Sequence, residues 1–388
     1  MDLYFSICLV LTCLVLAILI FSLPLFKFID EDTDPARSNS IDGIRFILAS
    51  FVIFHHMDCA YTYITKGNWA PTSDLLLYMG KYGVALFFMI TAFLFWGKIR
   101  KTDVVNWVDL YKKRLYRIAP LSIFCSLVAL FLLFLLTERR EFSIGVLTNA
   151  LSWFDVGLWN DKPPVTTFQY SFMALAGVTW TLRWEWIFYF SLPLLYMFKK
   201  LSFELTISLF AFSVYFLPGF TNDAYLWSYF LAGMLCSEIK DRIIISKKMA
   251  NVILAVMILI IILAQPNLYG SPEKIFLCAM FFSVVSGANL FGLLITKAAI
   301  RLGAISYSLY LTQGLILFPV IIHLQTKNKL ELNIHTFIIL ILSYLAICIL
   351  SSFTYHFIER PFIKKVIFSK VNKKNMVNNY IRRVSAGS

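Results

Sequence analysis

Long apolar runs separated by short polar segments recur along the whole 388-residue chain. A helix that spans a bilayer needs about 20 mostly apolar residues. Eleven runs approach this length, and they predict an all-α, polytopic membrane bundle of about eleven transmembrane helices. The predicted spans are residues 3–26, 40–63, 78–97, 118–137, 179–198, 202–218, 224–239, 249–265, 273–296, 302–324 and 335–358.

The polar segments between the runs suggest how the chain is divided. The first run has no basic segment before it and no small-residue cleavage pattern after it, so we interpret it as a helix rather than a signal peptide. Residues 1–39 then form an extra N-terminal transmembrane helix with a short cytoplasmic loop. Residues 40–362 form the main membrane domain, and residues 363–388 form a basic cytoplasmic tail.

The composition agrees with a membrane protein and excludes other classes. Apolar residues make up 59% of the chain and charged residues only 15%, which excludes a disordered chain or a disulfide scaffold. The net charge of +13 accompanies 37 Phe and 19 Tyr, so we predict lipid rather than nucleic acid as a partner. The seven cysteines show no metal-ligand spacing, and we expect them to pack as small apolar residues without a metal.

The distribution of lysine and arginine predicts the orientation. If residues 98–117 lie in the cytoplasm and the spans alternate, cytoplasmic segments hold 25 of the 35 basic residues and the opposite side holds 8. Cytoplasmic loops are enriched in basic residues. The bias therefore predicts an N-terminus outside the cytoplasm and a cytoplasmic C-terminus.

Two ionisable residues share one face of the second predicted span. Arg45 and His56 are eleven residues apart, so they project within about 20° of each other and about 16 Å apart along a helix. Asp42 lies about 40° from His56 and His55 about 100° away. Charges inside a span usually face a cavity or a partner. Alternatively, Arg45 snorkels to the surface and His56 joins helices by a hydrogen bond.

Two further segments place charges at span ends. Arg183 and Glu185 enter a predicted span among Trp180 and other aromatic residues, and Tyr189 is one turn beyond Glu185. They form either part of a site or a local ion pair within an aromatic belt.

Arg114 and Arg117 make up the second of these segments. They share a helix face just before a predicted span, in the proposed cytoplasmic loop. Paired arginines suit phosphate binding, although a topology signal is the alternative.

These segments together resemble the acyltransferase-3 family of integral membrane acyltransferases, which includes bacterial lipopolysaccharide and O-antigen O-acetyltransferases. The resemblance rests on six blocks in order along residues 40–362. The blocks are Asp42-Gly43-Ile44-Arg45 with His56, Tyr82-Gly83-Val84-Ala85-Leu86-Phe87-Phe88, Arg114-x-x-Arg117-x-x-Pro120, Trp180-Thr181-Leu182-x-x-Glu185, Ser306-Tyr307-Ser308-Leu309-Tyr310-Leu311 and Ile358-Glu359-Arg360-Pro361.

The resemblance implies an O-acetyltransferase of the bacterial inner membrane, with acetyl-CoA as acyl donor and a glycan or lipid-linked oligosaccharide as acceptor. Arg114, Arg117 and Arg45 would then bind CoA, and His56, Arg45 and Glu185 would act in catalysis. A second group of candidates supports the substrates. They are Asp42, His55, Arg183, Tyr189, Trp180, Ser306 and Tyr310.

Two features depart from the family pattern. A helix precedes the Arg45–His56 span, and Gln313 occupies a position where the family often has His. Two other functions are compatible with mid-membrane charges. One is a secondary transporter or flippase of a lipid-linked sugar, and the other is a non-catalytic scaffold in polysaccharide export.

Overall fold

The apolar runs fold into helices joined by short turns. The computed structural model describes residues 1–32, 39–159, 162–217, 224–264, 271–325 and 331–365, and the predicted tail lies outside them from residue 366 onward. The helices in this part of the chain are α1 Leu3–Ser22, α2 Asn39–Lys66, α3 Asp74–Ile99, α4 Trp107–Leu136, α5 Ile144–Ser152, α6 Trp180–Met197, α7 Ser202–Tyr215, α8 Trp227–Arg242, α9 Lys247–Ala264, α10 Ser271–Val285, α11 Lys297–Ala304, α12 Ser306–Gln325 and α13 Ile334–Thr354.

Polar residues between the apolar runs cap the helices. Ser73 Oγ accepts the Leu76 N–H at 3.5 Å at the start of α3. Asn106 Oδ1 accepts the Asp109 N–H at 3.0 Å at the start of α4. Asn333 does the same for α13, accepting from Thr336 at 3.1 Å. A cap satisfies an N–H group that has no partner within the helix, so each polar interruption fixes where a helix begins.

Six helices in the described residues are long and apolar enough to cross a membrane, namely α1, α2, α3, α4, α12 and α13. The chain is therefore a helical membrane bundle, but the predicted count of about eleven spans is not supported. The other predicted spans do contain helices, which are shorter or more polar. Residues 273–296 illustrate the reason, because α10 ends at Val285 and turns at Gly287 and Gly292 follow, both with positive φ. A hydropathy window counts apolar residues across such turns as one span.

Helix α2 lies at the centre of the bundle, against α3, α11 and α12. Of its best apolar window, 72% is buried inside the protein, against 28–61% for the other five spans. This central position explains how α2 can carry Arg45, His55, His56 and Asp58. Their polar atoms face other parts of the protein instead of lipid.

Two glycines allow α11 and the turn before it to approach α2. A Cβ on Gly43 would lie 1.9 Å from the carbonyl oxygen of Leu294, and a Cβ on Gly303 would lie 1.8 Å from that of Asp42. Any larger residue would push the backbones apart. The glycine of the Asp42-Gly43-Ile44-Arg45 block is thus a packing requirement, which keeps Arg45 at a fixed height in the bundle.

Arg301 on α11 attaches α1 to the rest of the protein. It is buried, and its Nε and Nη2 donate to the two carboxylate oxygens of Asp30 at 2.6 Å each. Its Nη1 donates to the carbonyls of Phe21 and Leu23, at 2.7 and 3.0 Å, where α1 ends. The guanidinium lowers the pKa of Asp30 by this hydrogen bonding. The stabilisation from the pair is therefore complete above the ordinary pKa of Asp and is lost as the pH falls below it.

We expect Arg301→Ala to lower the stability of the protein by about 1.5–3 kcal/mol, the scale of hydrogen bonds to a charged group. Arg301→Lys keeps the charge but not the forked contact, and it should recover only part of the loss. The measurement is the unfolding midpoint in detergent, with Lys248→Ala as the control because Lys248 is an exposed basic residue on α9. Equal midpoints for Arg301→Ala and Lys248→Ala would show that this contact does not hold α1.

Candidate active site

One cavity of about 620 Å³ collects most of the predicted site residues. Helices α3, α4, α6 and α12 form its walls, and Arg45 of α2 also lines it. Seven of the twelve predicted residues line it: Arg45, Arg114, Arg117, Glu185, Tyr189, Ser306 and Tyr310. Its volume lies within the range of small-molecule and cofactor sites. Arg45 and Tyr310, which lie 265 positions apart in the sequence, are thus brought to one cavity.

The outer end of the cavity is at the loop between α3 and α4. Thr102, Val104 and Asn106 line it there, and Val104 is almost fully exposed. Lys98 and Lys113 add positive charge to the wall near this end. The cavity therefore runs from an accessible, basic end into the apolar interior of the bundle.

The sequence predicts that Arg114 and Arg117 lie in a cytoplasmic loop, just before a span. In the structure both lie within α4 instead. The helix begins at Trp107 because Asn106 caps it, which puts Arg114 in its third turn and Arg117 at the start of its fourth. Hydropathy places the start of a span where apolar residues begin and so misses these polar first turns. The Arg114 guanidinium lies over the ring of Phe95, with its carbon 4.7 Å from the ring centre. The aromatic face favours a cation in an apolar wall.

Arg117 pairs with Glu359, a residue whose role the sequence analysis did not identify. The distance from Arg117 Nη2 to Glu359 Oε1 is 3.8 Å. Glu359 is completely buried, and its other oxygen accepts a hydrogen bond from Ser308 Oγ at 3.0 Å. It ends a π-helical turn, Tyr355–Glu359, that follows α13. The sequence does contain a signal for this pairing, because Glu359 is a carboxylate at the end of a long apolar run and such a charge needs a partner.

Glu185 lies among the arginines of the cavity. Tyr189 Oη donates to Glu185 Oε2 at 2.8 Å, one helical turn away. Arg114, Arg117 and Arg45 are the cations that act on the Glu185 carboxylate. Arg183 is exposed and does not line the cavity, so the alternative of a local Arg183–Glu185 pair does not describe Glu185. Trp180 is partly buried and is also outside the cavity wall.

His56 lies beyond the inner end of the cavity. Its Nδ1 is 2.9 Å from Oε1 of Gln313, and its ring stacks on Trp69 with ring centres 6.1 Å apart. Gln313 in turn donates from Nε2 to the carbonyl oxygen of Tyr310 at 2.8 Å. Tyr310 lines the cavity, and its hydroxyl is 2.9 Å from Thr181 Oγ1. A short polar chain thus joins the cavity wall to the imidazole.

The neighbours of His56 on α2 have separate partners. His55 Nδ1 is 3.2 Å from the carbonyl oxygen of Leu76, and a Cβ on Gly80 would overlap its ring. Asp42 is buried and lies 3.7 Å from Arg45 Nη1. Among the described residues, no group of three or more His, Cys, Asp or Glu is placed to hold a metal ion.

Comparison with known proteins adds one decisive finding. Residues 38–353 match the acyltransferase 3 family, described as an acyltransferase domain. The chain belongs to the acyltransferase 3 family. Membership indicates membrane acyltransferase activity, with an acyl donor and an acceptor. No curated protein and no solved structure matches the chain.

The acyltransferase 3 match covers the helices that build the cavity. It begins at the start of α2 and ends within α13, so Arg45, His56, Arg114, Glu185 and Gln313 all fall inside it. Helix α1 and Glu359 lie outside it. Arg117 of the cavity wall is therefore paired with a carboxylate that comes after the matched segment.

We expect Arg117 and Glu359 to be energetically coupled. Glu359→Gln keeps an acceptor for Ser308 but leaves Arg117 without its carboxylate, so it should destabilise the protein. In an Arg117→Met background the same change should cost little. A double-mutant cycle on unfolding in detergent measures this, and residues in contact usually couple by about 0.5–3 kcal/mol. A coupling energy near zero would mean that Glu359 does not hold Arg117 in place.

Proposed function

We propose that this protein is an O-acyltransferase of the bacterial inner membrane that moves an acyl group, acetyl by resemblance, from cytosolic acyl-CoA to a hydroxyl of a cell-surface polysaccharide or lipid-linked glycan. The observation that carries the proposal is the basic cavity whose wall residue Tyr310 is joined by hydrogen bonds through Gln313 to His56, in a member of the acyltransferase 3 family. A lipopolysaccharide sugar is one acceptor of this kind. A transporter or flippase does not need a basic cavity that is linked to a histidine.

The basic end of the cavity suits the phosphates of CoA. Arg114 forms a cation–π contact with Phe95, and Lys98 and Lys113 line the same region. Guanidinium groups bind phosphate oxygens in a forked geometry. Arg117 is held by Glu359, so we assign it a supporting part and give Arg114 the larger share of phosphate binding.

The inner end of the cavity suits the acyl thioester. The pantetheine arm of CoA is long and thin, and its path would follow the apolar side chains of Phe87 and Phe88 toward Tyr310. The cationic end would then stay in the cytosol, which agrees with the lysine and arginine bias and with a cytoplasmic C-terminus. The proposal also includes the predicted external N-terminus and the predicted count of about eleven transmembrane helices.

In this mechanism His56 acts as the general base. The acceptor O–H bond breaks as its oxygen attacks the thioester carbonyl carbon, and the proton passes to the imidazole. The C–S bond then breaks, and the imidazolium returns the proton to the leaving sulfur. The products are the O-acyl glycan and free CoA, so no other reactant is required. Transfer through an acyl-histidine intermediate is the other route open to the same residue.

Glu185 and Arg45 have a different part in the proposal. Glu185 is held by Tyr189 and lies in the field of three arginines, and Arg45 shares its helix with His56. Both line the cavity. We assign them to orienting the donor, and Ser306 and Tyr310 complete the wall that they face.

Replacing His56 should abolish transfer while donor binding remains. General acid–base catalysis contributes about 10²–10⁴-fold, so His56→Asn should reduce transfer by at least that range, because an amide cannot accept the proton. His55→Ala is the matched control, since His55 has separate contacts on the same helix. The measurement is acyl transfer from acetyl-CoA to the isolated surface glycan by purified protein in lipid, with mass spectrometry of the product. Near-normal transfer by His56→Asn would mean that the imidazole is structural.

Replacing Arg114 should weaken donor binding. Loss of a charge-assisted hydrogen bond costs about 1.5–3 kcal/mol, so Arg114→Ala should lower acetyl-CoA affinity by roughly 10- to 150-fold. The loss should shrink at high salt, where screening already weakens the contact. Lys112→Ala serves as the control, because Lys112 is an exposed cation on the same helix and outside the cavity wall. If calorimetry gives the two variants the same affinity, the arginine is a topology signal only.

A further inference from the structure

Gln313 makes two hydrogen bonds that together restrict its orientation. Its side chain is completely buried on α12. The amide nitrogen donates to the carbonyl oxygen of Tyr310 at 2.8 Å, and the amide oxygen is 2.9 Å from His56 Nδ1. These two partners differ in chemistry, because a carbonyl oxygen only accepts whereas an imidazole nitrogen can donate or accept.

The Tyr310 carbonyl decides which way the amide points. If the amide were turned over, two oxygens would face each other at hydrogen-bond distance inside a buried site, which is strongly unfavourable. The nitrogen of Gln313 must therefore face Tyr310, and its oxygen must face His56. An amide oxygen is only an acceptor, so the proton of this bond has to come from His56 Nδ1.

A neutral imidazole carries one proton, and the contact with Gln313 places it on Nδ1. The lone pair is then on Nε2, at the other side of the ring. The hydrogen bond to the second ring nitrogen commonly sets which nitrogen of a histidine is free to react. Trp69 stacks on the face of the ring, with the two planes 19° apart, and this further limits rotation of the imidazole.

We propose that Gln313 is a positioning residue that fixes His56 as the Nδ1-protonated tautomer and so directs the Nε2 lone pair to the acceptor hydroxyl. The inference deepens the proposed function and rests on it for its catalytic consequence. The acceptor proton goes to Nε2, and Gln313 Oε1 remains hydrogen-bonded to Nδ1–H throughout. Returning the proton from Nε2 to the leaving sulfur restores the starting tautomer.

The arrangement also links the tautomer to the donor cavity. Tyr310 supplies the carbonyl that orients Gln313, and its side chain lines the cavity and contacts Thr181. One residue therefore forms the wall against which the acyl-CoA would lie and fixes the hydrogen bonding of the base. His55 does not compete for Gln313, because its Nδ1 is at the Leu76 carbonyl and its Nε2 is near Cys59.

Two variants of Gln313 test the catalytic consequence. Gln313→Met has a similar length but offers no strong acceptor, so kcat should fall tenfold or more while KM for acetyl-CoA stays unchanged. Gln313→Glu keeps an acceptor at the same reach and should recover part of the lost kcat. Thr312→Val is the matched control, because Thr312 lies beside Gln313 on α12 and the change removes a buried hydrogen bond to Ser351 of α13 without touching His56. It should leave kcat at the wild-type value.

The tautomer itself is measured on the resting protein by nitrogen-15 NMR of histidine-labelled wild type. The chain has five histidines, and the signals of His56 are assigned by their loss in His56→Asn. The expected result is a protonated Nδ1 and an unprotonated Nε2. This readout needs no substrate, so it stands even if the proposed reaction is wrong, and it remains decisive if Gln313→Met does not fold.

Two results would overturn the inference. One is an unprotonated Nδ1 in the resting wild type. The other is wild-type kcat in a folded Gln313→Met protein. If the tautomer is as expected but His56→Asn transfers normally, the proposed function of His56 fails while the contact made by Gln313 is retained.

Discussion

Charges inside an apolar bundle need partners, and this requirement shapes the centre of the protein. Arg117 has Glu359, Arg45 has Asp42, and Arg114 lies on the face of Phe95. Removing one member of a buried pair leaves the other in a medium that solvates it poorly. The cavity can therefore be basic and still lie among apolar helices, because the side chains in its wall are held in place by these contacts.

The same requirement explains why α2 is the central helix. It carries an arginine, two histidines and two aspartates, which a helix facing lipid would not accommodate. Asp58 accepts hydrogen bonds from the backbone N–H groups of Thr72 and Ser73, at 2.8 and 2.7 Å, where α3 begins. This contact holds the turn that carries Trp69, the ring that stacks on His56. Burial of α2 and the position of His56 are thus parts of one arrangement.

The cavity and His56 are separate places that a polar chain connects. Gln313 joins Tyr310 in the cavity wall to the imidazole of His56, and none of these three residues is exposed. A separation of this kind suits a reaction whose donor comes from one side of a membrane and whose acceptor comes from the other. In the proposed function the donor enters at the α3–α4 loop, and the acceptor reaches His56 from the opposite side of the membrane.

The sequence by itself determined the helical membrane class, the family resemblance and the shared face of Arg45 and His56. These depend on local features, namely apolar run length, short motifs and the 100° rotation per residue of a helix. Hydropathy joins apolar residues across turns such as the one after Val285, so the predicted count of about eleven spans is not supported; six helices of the described residues are long and apolar enough to cross a membrane. The same local reasoning also placed Arg114 in a loop, because it did not register the cap at Asn106.

Only the tertiary structure decided which side chains meet. Gln313 is 257 residues from His56, and nothing near either residue in the chain indicates that they form a hydrogen bond. Glu359, the partner of Arg117, likewise is distant in the sequence and comes after the end of α13. The approach of α11 to α2 depends on glycines at Gly43 and Gly303, whose value is visible only once the two backbones are placed together. Local chemistry fixes each helix, whereas the packing of helices distant in sequence fixes the site.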